Sequence, residues 1–365
     1  MNNKINSLHG GDLDEISRLY NIKKSDILNF SGNVNPLGLP TSVKTAIKDN
    51  LDAIIGYPDV SYLQLKQAIS EYTNINHKYI SVGNGSTELI STFIKVVKPQ
   101  NSIVISPAYS EYIREINLVG GKVQMFPLKE EDNYILNIDN LTKGLTNDID
   151  LLVICNPNNP TGTYITANEI RQLLIHCQKN HTYLMIDETY VEFSDLSKNI
   201  SAMSLIEEFN NLYIIRGTSK FFAIPGLRLG YSACSNSKIL EQINLSKDPW
   251  SVNTLAEISG KVMFVDTDFI TKSYTFINSE RKRMYNELTK FKNIKVYDTQ
   301  SNFFLCKLLR DDITSTTIFK KLIDNNILIR DASNFPYLGD KYLRFCILDE
   351  ASNTLLLKLL KELIE

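Results

Sequence analysis

A chain of 365 residues, 43% of them hydrophobic, is long enough to bury a sizeable core and to divide into two domains. Its formal net charge of -2 argues against nucleic acid or an anionic membrane as the main partner. The opening residues carry no apolar run of signal-peptide length, and no later segment approaches the roughly 20 apolar residues that span a bilayer, so a cytoplasmic protein is expected. Five cysteines lie far apart without a Cys-x-x-Cys pair, and the four histidines show no metal-ligand spacing. Buried, reduced thiols and no metal site are the expectation.

Near the start, His9-Gly10-Gly11 offers backbone N–H groups to a phosphate, or else belongs to an N-terminal arm. Gly83-Asn84-Gly85-Ser86-Thr87-Glu88 precedes the apolar helical stretch Leu89 to Val97. A glycine-rich turn opening a helix presents free N–H groups and the positive end of the helix dipole, which favour phosphate; an ordinary Ser/Thr cap is the plainer alternative. Short apolar runs then alternate with helical patterns and predict strands over Ser102 to Ser106, Lys122 to Phe126, Asp150 to Cys155, Tyr183 to Ile186, Leu212 to Ile215 and Leu229 to Ala233. A helix is predicted over Ala167 to Lys179, because Thr166 with Glu169 three residues on forms a capping box. Helix alternating with strand implies an α/β fold with a mostly parallel sheet flanked by helices.

After Pro249 the pattern changes. A long helical stretch to about Phe291 leads to strands Ile294 to Tyr297 and Asn302 to Leu308, a helix near Thr316 to Asp324, two short strands and a terminal amphipathic helix from Ala351. This predicts a smaller α+β domain. The expected division is a large cofactor-binding domain over residues 51–249, with 1–50 and 250–365 forming an N-terminal arm and the small domain.

Two predicted strand ends carry polar clusters. Asn156-Pro157-Asn158-Asn159-Pro160-Thr161-Gly162 follows one strand, and Asp187-Glu188-Thr189-Tyr190 follows another, at the edge where open α/β sheets bind ligands. Further on, Ser219-Lys220 is followed eight residues later by Arg228. A lysine in such company is able to form an imine with an aldehyde cofactor while a hydroxyl and a guanidinium clamp the cofactor's phosphate. The cofactor implied is pyridoxal 5'-phosphate. Asp187 would keep its pyridine nitrogen protonated, and Tyr190 and Asn159 would donate hydrogen bonds to its phenolate oxygen. Taken singly, each residue has a plainer reading: a solvated lysine, a capping aspartate, an asparagine-rich turn.

Taken together, Gly-Asn-Gly-Ser, Pro107-Ala108-Tyr109, Asn-Pro-Asn-Asn-Pro-Thr-Gly, Asp-Glu-Thr-Tyr, Ser-Lys and Tyr342-Leu343-Arg344-Phe345 occur in the order of one family. The chain resembles the pyridoxal-phosphate enzymes of the class I/II aminotransferase family, fold type I, over about Asn33 to Arg344. The resemblance implies that Lys220 carries the cofactor and later the proton, that Asp187 and Tyr109 act with it, and that Tyr109 stacks on the cofactor ring. It implies that Gly85, Ser86, Thr87, Ser219 and Arg228 hold the cofactor phosphate. It also implies a homodimer with shared active sites, in which Tyr57 reaches the partner's cofactor. Arg344 matches the carboxylate-binding arginine and Arg330 the position that takes a substrate phosphate; Asn33 and His9 join them as substrate residues. The stretches His9-Gly10-Gly11, Phe30 to Gly38 and Arg330 to Phe335 resemble the subgroup that decarboxylates L-threonine O-3-phosphate in cobalamin synthesis. The alternative is an aminotransferase of the histidinol-phosphate type using 2-oxoglutarate.

Overall fold

In a computed structural model, which describes residues 12–365, the apolar runs become thirteen strands among those residues. They are β1 (Leu28–Asn29), β2 (Ile80–Gly83), β3 (Asn101–Ser106), β4 (Lys122–Pro127), β5 (Leu151–Cys155), β6 (Tyr183–Asp187), β7 (Leu212–Gly217), β8 (Gly230–Ala233), β9 (Ile294–Val296), β10 (Phe303–Leu308), β11 (Ile327–Leu328), β12 (Arg330–Asp331) and β13 (Tyr342–Cys346). The expectation for His9 lies outside the described residues. Seven strands form one sheet in the order β2-β8-β7-β6-β5-β3-β4, four form a second, β12-β13-β10-β9, and β1 pairs with β11.

The expected parallel order holds from β7 through β6, β5 and β3 to β4. It fails at β8, which runs antiparallel to both β7 and β2. Twelve residues join β7 to β8, and their one helix is the single turn Thr218–Phe221, too short to carry the chain back along the sheet as the crossover to a parallel partner must. The strand β2 has no counterpart among the predicted strands, being four residues that run straight into the glycine turn. The inner strands β5, β6 and β7 are buried almost throughout, so they read as unbroken apolar runs rather than alternating ones.

Helix ends follow their capping chemistry. Thr166 Oγ1 accepts from the Glu169 N–H at 3.4 Å and Glu169 Oε2 accepts from the Thr166 N–H at 2.7 Å, completing the predicted capping box of the helix Ala167–Lys179. The long stretch after Pro249 is two helices, Thr254–Met263 and Thr267–Leu288. Asp266 divides them, because its carboxylate accepts from the Phe269 N–H at 3.0 Å and starts a new helix. The helix that follows β2 begins at Gly85, ahead of its apolar stretch, and runs to Val97.

One core cluster covers a face of the large sheet where Phe93 stacks on Tyr213 at 4.0 Å; the other face shares a continuous core with the small sheet. The N-terminal segment belongs with the C-terminal strands: Leu28 pairs with Ile327, Asn29 with Leu328, and the Cys346 N–H donates to the Phe30 carbonyl at 2.8 Å. That join carries residues 31–35 over the carboxyl edge of the large sheet. All five cysteines are free and buried. Among the described residues no helix is long and apolar enough to cross a membrane, and no group of three or more His, Cys, Asp or Glu side chains is arranged to hold a metal.

Candidate active site

Loops at the carboxyl ends of β5, β6 and β7 enclose a cavity of about 280 Å³. Its lining includes Asn33, Ser86, Thr87, Tyr109, Asn159, Asp187, Tyr190, Ser219, Lys220, Arg228, Arg330 and Arg344, twelve of the residues singled out from the sequence. Gly85 lies beneath Arg228, where a Cβ would collide with the guanidinium. Tyr57 is elsewhere: it is 80% exposed, and its ring lies 4.5 Å from that of Trp250.

Four cationic side chains, Lys220, Arg228, Arg330 and Arg344, face a single carboxylate, Asp187, across the cavity. Lys220 projects from the short helix after β7 and donates from Nζ to the Gly32 carbonyl at 2.6 Å. Burial, and then the nearby Arg344, push its ammonium down to about 8. Asp187 ends β6 and is 4% exposed. Burial pushes its carboxyl above the usual range, against the pull of three donors: Thr189 Oγ1 at 2.6 Å, the Tyr112 hydroxyl at 2.7 Å and the Thr189 N–H at 2.9 Å.

The two C-terminal arginines are positioned differently. Arg344, on β13, donates from Nη1 to Asn159 Oδ1 and from Nη2 to the Ser31 carbonyl at 2.9 Å, with its guanidinium 5.3 Å from the centre of the Phe303 ring. Its buried Nε has no partner among the described residues, so one N–H is left for an anion. Arg330 donates to Asn334 Oδ1 at 2.8 Å and lies 5.5 Å from the Phe335 ring centre. Burial, and then Arg344, push it down to about 10. Asn33, with φ of 55°, donates from Nδ2 to the Tyr190 hydroxyl at 3.1 Å, and its Oδ1 is buried without a partner among the described residues.

Sequence reasoning missed Tyr112, Cys155 and Thr189, which complete the wall around Asp187. Tyr112 was detectable in principle: it sits three residues beyond Tyr109, on the first turn of the helix Glu111–Leu118. Also missed was the support beneath the site. Arg216 donates from Nε and Nη2 to Glu188 Oε2 at 3.0 and 2.8 Å, and Glu188 also accepts from the Ala202 N–H at 2.6 Å. This buried pair, one residue from Asp187, locks the end of β6 to β7.

The donor set fits pyridoxal phosphate. The helix start at Gly85, the hydroxyls of Ser86, Thr87 and Ser219, and Arg228 make an anion cradle; Asp187 offers the carboxylate that a protonated pyridine requires, with an amine, Lys220, in the same cavity.

The chain is similar to known enzymes over nearly its whole length. A threonine-phosphate decarboxylase of Salmonella typhimurium is 33% identical over 98% of this chain and 97% of its own length. A histidinol-phosphate aminotransferase of Methanosphaera stadtmanae is 28% identical over 98% of this chain and 95% of its own. Among solved structures, the histidinol-phosphate aminotransferase from Clostridium acetobutylicum superposes with a TM-score of 0.86 at 33% identity, covering 92% of this chain and 98% of that one. The family profile for aminotransferase class I and II matches residues 25–360, and the chain belongs to that pyridoxal-phosphate-dependent family of fold type I.

Proposed function

We propose that this enzyme decarboxylates L-threonine O-3-phosphate. The observation that carries the reading is the charge of the cavity: four cations against one carboxylate. Arg228 and Asp187 are matched to the cofactor's phosphate and ring nitrogen, which leaves Arg330 and Arg344 for a substrate that bears both a phosphate and a carboxylate. The decarboxylase of Salmonella typhimurium, similar along nearly the whole chain, supports this substrate class.

Bound pyridoxal phosphate supplies an aldehyde for the substrate amine and a protonated ring that accepts the electron pair left when a bond at the substrate Cα breaks. Ser86, Thr87, Ser219 and Arg228, with the helix N–H groups at Gly85, hold its phosphate in this reading, and Tyr109 covers its ring. Asp187 keeps the ring nitrogen protonated, while Asn159 and Tyr190, the latter oriented by Asn33, hydrogen-bond the phenolate oxygen. Arg344 grips the substrate carboxylate and Arg330 the substrate phosphate. Lys220, whose amine is pushed down toward neutral pH, carries the cofactor and then delivers a proton to Cα. We take residues 51–249 as the cofactor-holding unit, and 1–50 with 250–365 as the unit that brings Arg330 and Arg344 to it; the pairing of β1 with β11 supports this grouping. A homodimer completes the reading, with Tyr57 entering the partner's site, and it is supported by exposed apolar residues around Tyr57: Leu51, Ile54, Ile55, Val60 and Trp250.

The similarity to the Clostridium acetobutylicum enzyme supports a second reading, transamination of histidinol phosphate with 2-oxoglutarate. Purified protein with pyridoxal phosphate is offered L-threonine O-3-phosphate alone, then histidinol phosphate with 2-oxoglutarate, while carbon dioxide and glutamate are followed. Carbon dioxide without any acceptor is the expected result. Glutamate without carbon dioxide replaces the first reading with the second.

A further inference from the structure

We propose that Tyr112 is a positioning residue that acts on the cofactor through Asp187, keeping that carboxylate ionised and aimed so that the ring nitrogen stays protonated. The proposal rests on the reading of Asp187 as the ring nitrogen's partner.

Tyr112 and Asp187 come from different elements, the helix after β3 and the end of β6, and both are nearly inaccessible at 1% and 4% exposure. The phenol donates to Asp187 Oδ2 at 2.7 Å, while both contacts from Thr189 go to Oδ1. Each carboxylate oxygen is therefore held by its own donor, and the plane of the carboxylate is fixed. The ring of Tyr112 meets that of Tyr109 edge to face, with centroids 5.7 Å apart and planes at 85°, so one side chain braces both groups assigned to the cofactor ring.

Between a pyridine nitrogen and a carboxylate, one proton resides on whichever group is the stronger base. A buried carboxylate without donors is a strong base and takes the proton, leaving the ring neutral. Donation from Tyr112 makes the carboxylate a weaker base and leaves the proton on nitrogen. Thr189 alone serves only one oxygen. The tyrosine hydroxyl thus controls how well the ring accepts electrons without touching the cofactor's reacting atoms.

The test compares pyridoxal phosphate with its carbocyclic analogue, in which carbon replaces the ring nitrogen. Dissociation constants for both are measured on wild-type protein and on Tyr112→Phe. Wild type should prefer pyridoxal phosphate, and Tyr112→Phe should lower that preference about tenfold, the range supplied by one hydrogen bond to a charged group. Affinity for the carbon analogue should change little, and the melting temperature of the cofactor-free variant should stay near wild type. A merely structural role predicts equal losses for both ligands; that result, or an unchanged preference, overturns the proposal. Replacing Tyr112 by a ring-fluorinated tyrosine, a stronger donor of similar size, should raise the preference, and this test stands even if the phenylalanine variant fails to fold. A fluorinated protein whose preference is unchanged or lower also overturns the proposal. Wild-type protein that binds both ligands equally refutes instead the assignment of Asp187 to the ring nitrogen.

Discussion

Replacing Lys220 should stabilise the cofactor-free protein. Lys220 is held near pKa 8 against its ordinary 10.5, so burying its charge costs about 3 kcal/mol wherever the ammonium persists in both folded and unfolded chains. Lys220→Met removes that cost, keeps the side-chain length and forfeits the hydrogen bond to the Gly32 carbonyl, which contributes about 1 kcal/mol. The net is about 2 kcal/mol of stabilisation at pH 7, a rise of roughly 2–4 °C in melting temperature. The pH dependence carries the sign. Below pH 8 the full penalty stands; between 8 and 10.5 the unfolded chain holds a proton that the folded chain has released, so wild-type stability rises with pH relative to the variant; above 10.5 the charge penalty is gone. Thermal melts of both cofactor-free proteins at a series of pH values read this directly. A variant less stable than wild type at pH 7, or an offset that does not vary with pH, refutes the reasoning.

Arg330→Ala should lower kcat/KM for L-threonine O-3-phosphate by about a hundredfold, the worth of charge-assisted contacts of about 3 kcal/mol, while leaving the residual rate on unphosphorylated threonine nearly unchanged. Arg216→Met should destabilise the protein by about 3–5 kcal/mol in denaturant unfolding, because the carboxylates of Glu188 and Glu192 both stay buried without their guanidinium; adding Glu188→Gln should recover part of the loss. Light scattering should give a dimer, and Ile55→Asp, placing a charge on a 93% exposed apolar residue beside Tyr57, should shift it toward monomer.

Those residues differ in how far the chain itself announces them. Lys220, Asp187 and Asn159 are legible because they lie at the ends of strongly apolar runs, where period and punctuation coincide. The reversal of β8 is not legible, since its apolar residues look the same in either direction and only the single-turn helix in the link from β7 decides it. The break at Asp266 is hidden for a related reason: an aspartate within a helical pattern reads as a solvated face until its carboxylate is seen to accept from Phe269. Glu188 and Arg216 stand 28 residues apart, and Tyr112 and Asp187 stand 75 apart. Pairing at that separation is created by strand order, which local pattern does not encode.

The proposed phosphate cradle shows most clearly why motif and fold must be read together. Gly83, Gly230 and Gly217 lie side by side across β2, β8 and β7, a row invisible in the sequence because its members are far apart. A Cβ at Gly230 would sit 2.8 Å from the Gly85 carbonyl carbon and from the Ser86 nitrogen, both backbone atoms that have no rotamer to give. One at Gly217 would sit 3.2 Å from Ser86 Oγ. The row therefore lets the helix start settle onto the sheet beside Arg228. Gly226 belongs to the conspicuous lysine motif, yet a Cβ there meets nothing within 4 Å. Gly226→Ala should thus leave stability within about 0.5 kcal/mol of wild type. Gly230→Ala should destabilise by about 1–3 kcal/mol through overpacking, and weaken pyridoxal phosphate binding by about tenfold because the displaced backbone is the cradle itself. Equilibrium dialysis of the two variants decides it: equal cofactor affinity in both means that the glycine row serves sheet packing alone, and that the cradle tolerates a shifted helix start.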